Sequence, residues 1–139
     1  MFSIRELSQT TGVSTQTIRY YERIHLLPPA KRAANGYRIY REPDIERLQF
    51  IRRARALDFT LSEIGEILAL RDHHEAPCRY VLDVMQRRIE VIEERIRDME
   101  RLKVEVKALY ETGQQMPEDV DMRMCVCHLI QISGSKKGN

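Results

Sequence analysis

From Leu82 to Leu109, apolar residues recur at Leu82, Met85, Ile89, Ile92, Ile96, Met99, Leu102, Val106 and Leu109. The steps alternate between three and four, with one irregular step after Ile96, which is the pattern of a coiled-coil seam. Between these positions the segment is charged, through Arg87, Arg88, Glu90, Glu93, Glu94 and Arg95. Pro77 marks its start, and Gly113 and Pro117 mark its end. The pattern predicts one helix over Pro77–Glu111, about 35 residues and about 52 Å long. No other segment reads as a helix long enough to cover such a stripe, so a homodimer is the economical expectation.

The 139 residues leave room for one small domain beside that helix. Charge is unevenly placed. Residues 1–57 hold 11 Lys/Arg against 5 Asp/Glu, a net of +6, and residues 58–139 hold 12 against 16, a net of −4. A basic front on an acidic rear suits phosphate contact by one end. No apolar run approaches the roughly 20 residues needed to span a bilayer. The start MFSIRELS carries Glu6 and no small-residue cleavage site, so the expected location is cytoplasmic, with no membrane partner.

The basic front reads as a winged helix-turn-helix. Ile4–Thr10 forms a first short helix, which Gly12 breaks, and Val13 plugs the turn. Ser14 is suited to cap a second helix from Thr15 to about Ile24, and Pro28-Pro29 stops it. That helix opens on Thr15, Gln16 and Thr17, short polar side chains placed where a recognition helix reads base edges. Arg19, Tyr20 and Tyr21 follow and can reach phosphates. Asn35-Gly36 signals a hairpin. Beyond it Arg38 and Tyr40 share one strand face, expected to meet the DNA backbone, while Tyr37 and Ile39 are expected to pack inward.

Pro43 opens a third helix carrying Ile45, Leu48 and Ile51 on one face and Arg47, Arg53 and Arg55 on another. Thr60 and Glu63 form a capping box for a fourth helix that buries Leu61, Ile64, Ile67 and Leu68. Residues 71–76 read as a polar hinge. The expected organisation is mainly α: a DNA-binding domain over 1–75, a dimerisation helix over 76–111, an effector-binding loop over 112–132 and a flexible tail over 133–139.

The ordered set TIRYYE at 17–22, LLPP at 26–29, NGYRIY at 35–40, LSEIGEIL at 61–68 and the long helix resembles the MerR family of transcription regulators. The likeness runs to about Leu109. His25 stands where the family often has glycine before the Leu-Leu pair. The resemblance implies an antiparallel coiled-coil homodimer with two winged domains on a palindromic operator between promoter elements. It further implies that activation untwists an over-long spacer so that RNA polymerase engages, so DNA deformation energy is the switch. Arg19, Tyr20, Tyr21, Arg38 and Tyr40 would be the handles.

The three cysteines are Cys78, Cys125 and Cys127. An odd number argues against a disulfide framework. Cys78 follows Pro77, where a helix N-terminus stabilises a thiolate. Three thiolates with His128 as an added imidazole form a soft donor set, suited to Zn(II), Cd(II), Pb(II), Hg(II) or Cu(I). Metal sensors of the family carry a cysteine at the start of the dimer helix when the ion is divalent, so the resemblance favours Zn, Cd, Pb or Hg. It also places Cys78 from one subunit with Cys125 and Cys127 from the other. The segment CHLI resembles the CPLI stretch of the family's mercury sensors, with His128 for proline. Those sensors have a further cysteine near the end of the helix, where this chain has Tyr110, Glu111 and Thr112, and Cys125 would replace it. No organic cofactor is implied.

The alternative is a thiol redox or electrophile sensor on the same scaffold. An iron–sulfur version falls short of the usual four cysteines. A small metal-dependent enzyme would need Glu118 or Asp121 as its base, at no recognisable spacing, so no catalytic residue is assigned.

Overall fold

The chain folds in the order α1 (Ile4–Thr11), α2 (Thr15–Arg23), β1 (Lys31–Arg32), β2 (Arg38–Ile39), α3 (Glu42–Ala56), α4 (Leu61–Asp72), α5 (Cys78–Gln114) and α6 (Val126–Lys136). This computed structural model describes residues 1–117 and 125–136. Glu118, Asp121 and part of the expected effector loop lie outside the described residues, as do residues 137–139. The chain forms two compact units, Met1–Arg88 and Ile89–Asn139.

In the first unit, side chains near the helix ends supply the caps. Ser3 and Glu6 form a reciprocal box at α1, and Thr60 and Glu63 do the same at α4. Gly12 ends α1 in the left-handed region at φ 77°, where its N–H donates to the Ser8 carbonyl. A Cβ there would lie 2.6 Å from Arg52 Nη1, because Arg52 donates to the Thr11 carbonyl at 2.9 Å. Glycine therefore permits both the turn and the arginine's approach. Among the described residues, the non-glycine residues His25, Asp58 and His74 share the left-handed conformation.

The core joins Leu7 of α1, Ile18 of α2, Leu48 and Ile51 of α3 and Ile64 and Ile67 of α4. Val84 of α5 is fully buried in it, with Tyr80 and Val81 packed alongside. The first unit thus extends past residue 75 because the opening turns of α5 complete its core. Arg88 closes this end, with Nη1 3.5 Å from Asp58 Oδ2 and Nη2 3.4 Å from Glu63 Oε1. The N–H of the Thr60 cap, followed by the Thr60 hydroxyl and Arg88, holds the Glu63 carboxyl below its ordinary value.

The hairpin pairs Lys31 with Ile39 and Arg32 with Arg38. Gly36 sits at φ 85° and donates to the Ala33 carbonyl, and Arg32 Nη1 clamps the Gly36 carbonyl at 2.7 Å. Phe2 and Tyr40 exchange both backbone hydrogen bonds at 2.8 Å, tying the N-terminus to the wing.

The second unit differs from expectation in two places. Gly113 does not stop α5, which continues to Gln114. A Cβ on Gly113 would meet Val126 Cγ1 at 3.2 Å, so this glycine lets α6 approach α5. The expected loop and tail are partly helical, since α6 carries the chain from Val126 through Lys136. Along α5 the expected stripe is solvent-facing in the single chain, with Leu82, Met85, Ile89, Ile92, Ile96, Met99, Leu102 and Val106 between 41% and 64% exposed. Among the described residues, no helix is long and apolar enough to cross a membrane.

Candidate nucleic-acid interface and metal-ligating residues

Ser14 accepts a hydrogen bond from the Thr17 N–H at 3.1 Å, fixing the first turn of α2. Its hydroxyl also donates to Thr17 Oγ1 at 2.8 Å, so Thr17 is half-buried and engaged with the cap. Gln16, Arg19 and Tyr20 stand exposed, and Thr15 is half-exposed. The guanidinium of Arg23 lies 5.7 Å from the Tyr20 ring centroid. Tyr21 is directed the other way and belongs to the core.

The wing reverses part of the expectation. Arg38 and Tyr40 do share a face, but that face turns toward α2. Tyr40 is fully buried and its hydroxyl donates to Glu22 Oε1. Arg38 Nε lies 3.4 Å from Glu22 Oε2. Tyr37, expected inside, is 74% exposed, and Ile39 is half-buried. The physical reason is Glu22, a carboxylate that draws both donors to its side. Burial, and then the bond to Glu22, pushes the Tyr40 hydroxyl well above the ordinary phenol range, so it remains a donor. Glu22 was not singled out from the sequence. Its signal was there: it lies four residues after the core position Ile18, so it shares that inward face and requires donors.

The exposed cations Arg23, Lys31, Arg32 and Arg41 surround α2 and the wing and were not named as contacts from sequence. Together with Arg19 they give this side of the first unit its positive charge.

Cys78 is the first residue of α5 and is exposed. Cys125 immediately precedes α6 and is half-buried, and Cys127 is exposed in its first turn. His128 is half-buried, and its backbone N–H donates to the Cys125 carbonyl at 3.0 Å. The three cysteines form no disulfide. Among the described residues of one chain, no three His, Cys, Asp or Glu side chains gather as an ion site.

The model of the MerR helix-turn-helix regulatory proteins matches residues 2–70, and that of the MerR DNA-binding region matches residues 45–109. The chain is 40% identical over 124 residues to the mercuric resistance operon regulatory protein of Bacillus cereus, covering 89% of this chain and 92% of that one. The chain belongs to the MerR family. Two solved MerR-family structures superpose on most of it. One is the regulator PbrR691 of Ralstonia metallidurans CH34 in complex with lead(II), with TM-score 0.77, 34% identity, and coverage of 90% of this chain and 95% of that one. The other is MerR of Bacillus megaterium MB1 in complex with mercury(II), with TM-score 0.67, 36% identity and coverage of 94% and 99%. MerR-family regulators bind promoter DNA. This chain is accordingly a DNA-binding transcription regulator and not an enzyme. Its long α5 and winged first unit are the MerR architecture.

Proposed function

We propose that this MerR-family protein is a metal-responsive transcription activator whose effector is a soft divalent ion, Zn(II), Cd(II), Pb(II) or Hg(II). One observation carries the reading. Each thiol stands at the start of a helix, Cys78 opening α5 and Cys125 and Cys127 flanking the first residue of α6. All three thiols are free, with Cys78 and Cys127 exposed, and sulfur donors suit soft divalent ions. The likeness to the mercuric resistance regulator and to the lead(II)- and mercury(II)-bound structures supports the same chemistry. The ligands are Cys78 of one subunit with Cys125 and Cys127 of the other, and His128 supplies a further donor.

The dimer forms through the apolar stripe of α5 and binds a palindromic promoter site. Thr15, Gln16 and Thr17 approach base edges. Arg19, Tyr20 and Arg38 hold phosphates, joined by Arg23, Lys31 and Arg32. Tyr21 and Tyr40 act from the core, supporting these handles. An ion joining two subunits changes the relation between two winged domains that grip one duplex, so its binding energy is spent on deforming DNA. RNA polymerase reads the altered promoter.

The test is transcription in vitro from a promoter carrying an operator selected from random duplexes, with Zn(II), Pb(II) or Hg(II) added. The reading expects metal to raise transcription at unchanged operator occupancy, and Cys127→Ser to bind the operator without activating. Full activation under strict chelation, after oxidant or alkylating agent, would replace this reading with a thiol sensor.

A further inference from the structure

Glu22 occupies an unusual place for a carboxylate on a DNA-binding face. It lies near the end of α2, the helix read as meeting the major groove, and its side chain is only 12% exposed. A buried anion beside a phosphate-binding surface is unfavourable on two counts. It loses hydration, and it repels the DNA it approaches. Its retention requires specific partners, and the structure supplies one for each oxygen. Tyr40 donates to Oε1 from the core, and Arg38 Nε faces Oε2 at 3.4 Å from the wing. Tyr40 is in turn fixed by its two backbone bonds to Phe2. Arg38 remains one-third exposed. Among the described residues, Glu22 is the sole ion-pair partner of that guanidinium, and it engages the Nε edge. The two terminal nitrogens stay available to a second anion.

We propose that Glu22 is a positioning residue for DNA binding: through Oε2 it sets the guanidinium of Arg38 in the orientation that receives a phosphate, while the Tyr40 hydroxyl locks its other oxygen. An arginine held by one edge is preorganised for an anion at its other edge, and the entropy of fixing its chain is lost before DNA arrives. The wing is a short hairpin of two two-residue strands, so its own ladder does little to fix where Arg38 points. The Glu22 clasp does so from a rigid helix. This inference rests on Arg38 contacting DNA.

The experiment is a double-mutant cycle on the full-length dimer, measured by fluorescence anisotropy against the selected operator at several salt concentrations. Simple electrostatics expects Glu22→Gln to tighten binding, since a negative charge leaves the interface. The clasp expects the opposite sign: binding roughly tenfold weaker, and a salt slope about one unit smaller per half-site, as if the Arg38 contact were gone. In an Arg38→Ala background, Glu22→Gln should cause no further loss. Tyr40→Phe keeps the ring in the core and should give a smaller weakening with Arg38 present and none without it. This second variant decides the matter if Glu22→Gln fails to fold.

Glu22→Gln binding as tightly as the parent, or weakening both backgrounds alike, overturns the clasp. Arg38→Ala with no effect alone overturns it too. Failure of the parent chain to retain any operator is a different result, and it strikes the DNA-binding assignment of this face instead.

Discussion

Arg47 and Asp72 are joined by two parallel hydrogen bonds, Nη1 to Oδ1 at 2.9 Å and Nη2 to Oδ2 at 3.1 Å. The same guanidinium donates through Nε to the Leu26 carbonyl at 2.7 Å. One side chain of α3 therefore binds the end of α4 and the segment following α2. The bond from Arg47 holds the Asp72 carboxyl below the usual aspartate range. A carboxyl lowered in the folded state contributes stability above its unfolded value near 3.9, and loses it as pH falls through the folded value. Because Asp72 is half-exposed, its share is small. Asp72→Asn should cost about 0.5–1 kcal/mol at neutral pH. The cost should fall away as pH drops through the lowered folded value, where the parent carboxyl is itself protonated. Urea unfolding at neutral pH and along an acid series checks this, and a loss that stays constant across the series would show the pair is not the source.

Two left-handed positions should respond in opposite directions. Gly12→Ala places a side chain at φ 77° and against the Arg52 guanidinium, so it should cost about 1–2 kcal/mol or more. His25→Gly relieves a non-glycine residue at φ 63° and should stabilise by about 0.5 kcal/mol after glycine's own entropy is counted. Thermal denaturation of both variants provides the comparison. A destabilised His25→Gly would mean that the histidine ring holds the turn by contacts that outweigh its backbone strain.

The exposed stripe of α5 is the proposed dimer seam. Ile96→Lys introduces a charge at its middle without touching the first unit's core. Light scattering should find this variant monomeric at micromolar concentration, with helicity reduced along the second unit. A dimer of unchanged affinity would move the subunit contact elsewhere.

A shared metal site makes a prediction about mixed dimers. Cys78→Ser chains and chains carrying both Cys125→Ser and Cys127→Ser should each lack metal response as homodimers. Mixed one-to-one, they should regain one complete site of the two, because Cys78 from one chain meets the intact pair from the other. Ligands drawn from a single chain would leave the mixture silent. Metal binding by the purified, differently tagged heterodimer distinguishes the two.

Much of the fold could be read from local patterns. Ser14, Thr60 with Glu63, Gly12 and Asn35-Gly36 act within a few residues of themselves, so α1, α2, α4 and the hairpin fall where their signals stand. The long period of α5 was equally plain. The orientation of the wing was not. Alternation puts Arg38 and Tyr40 on one face, yet which face is inside depends on Glu22, 18 positions before Tyr40. Gly113 carries a second role that its sequence position does not show: it stands one residue from the end of α5, and its missing side chain also admits Val126. Of the candidate metal ligands, sequence supplied the donor chemistry and the structure added their helix-terminal settings. Their proposed assembly draws on a second chain, which no single-chain pattern encodes.

The central claim is that these thiols bind a soft ion that operator binding does not require. Titrating the purified dimer with Pb(II) or Hg(II), while recording thiolate-to-metal charge-transfer absorption, tests it most directly. The account predicts a sharp saturation at a fixed stoichiometry per dimer in the parent, and its loss in Cys127→Ser with operator affinity retained. Undiminished absorption and stoichiometry in Cys127→Ser would contradict it.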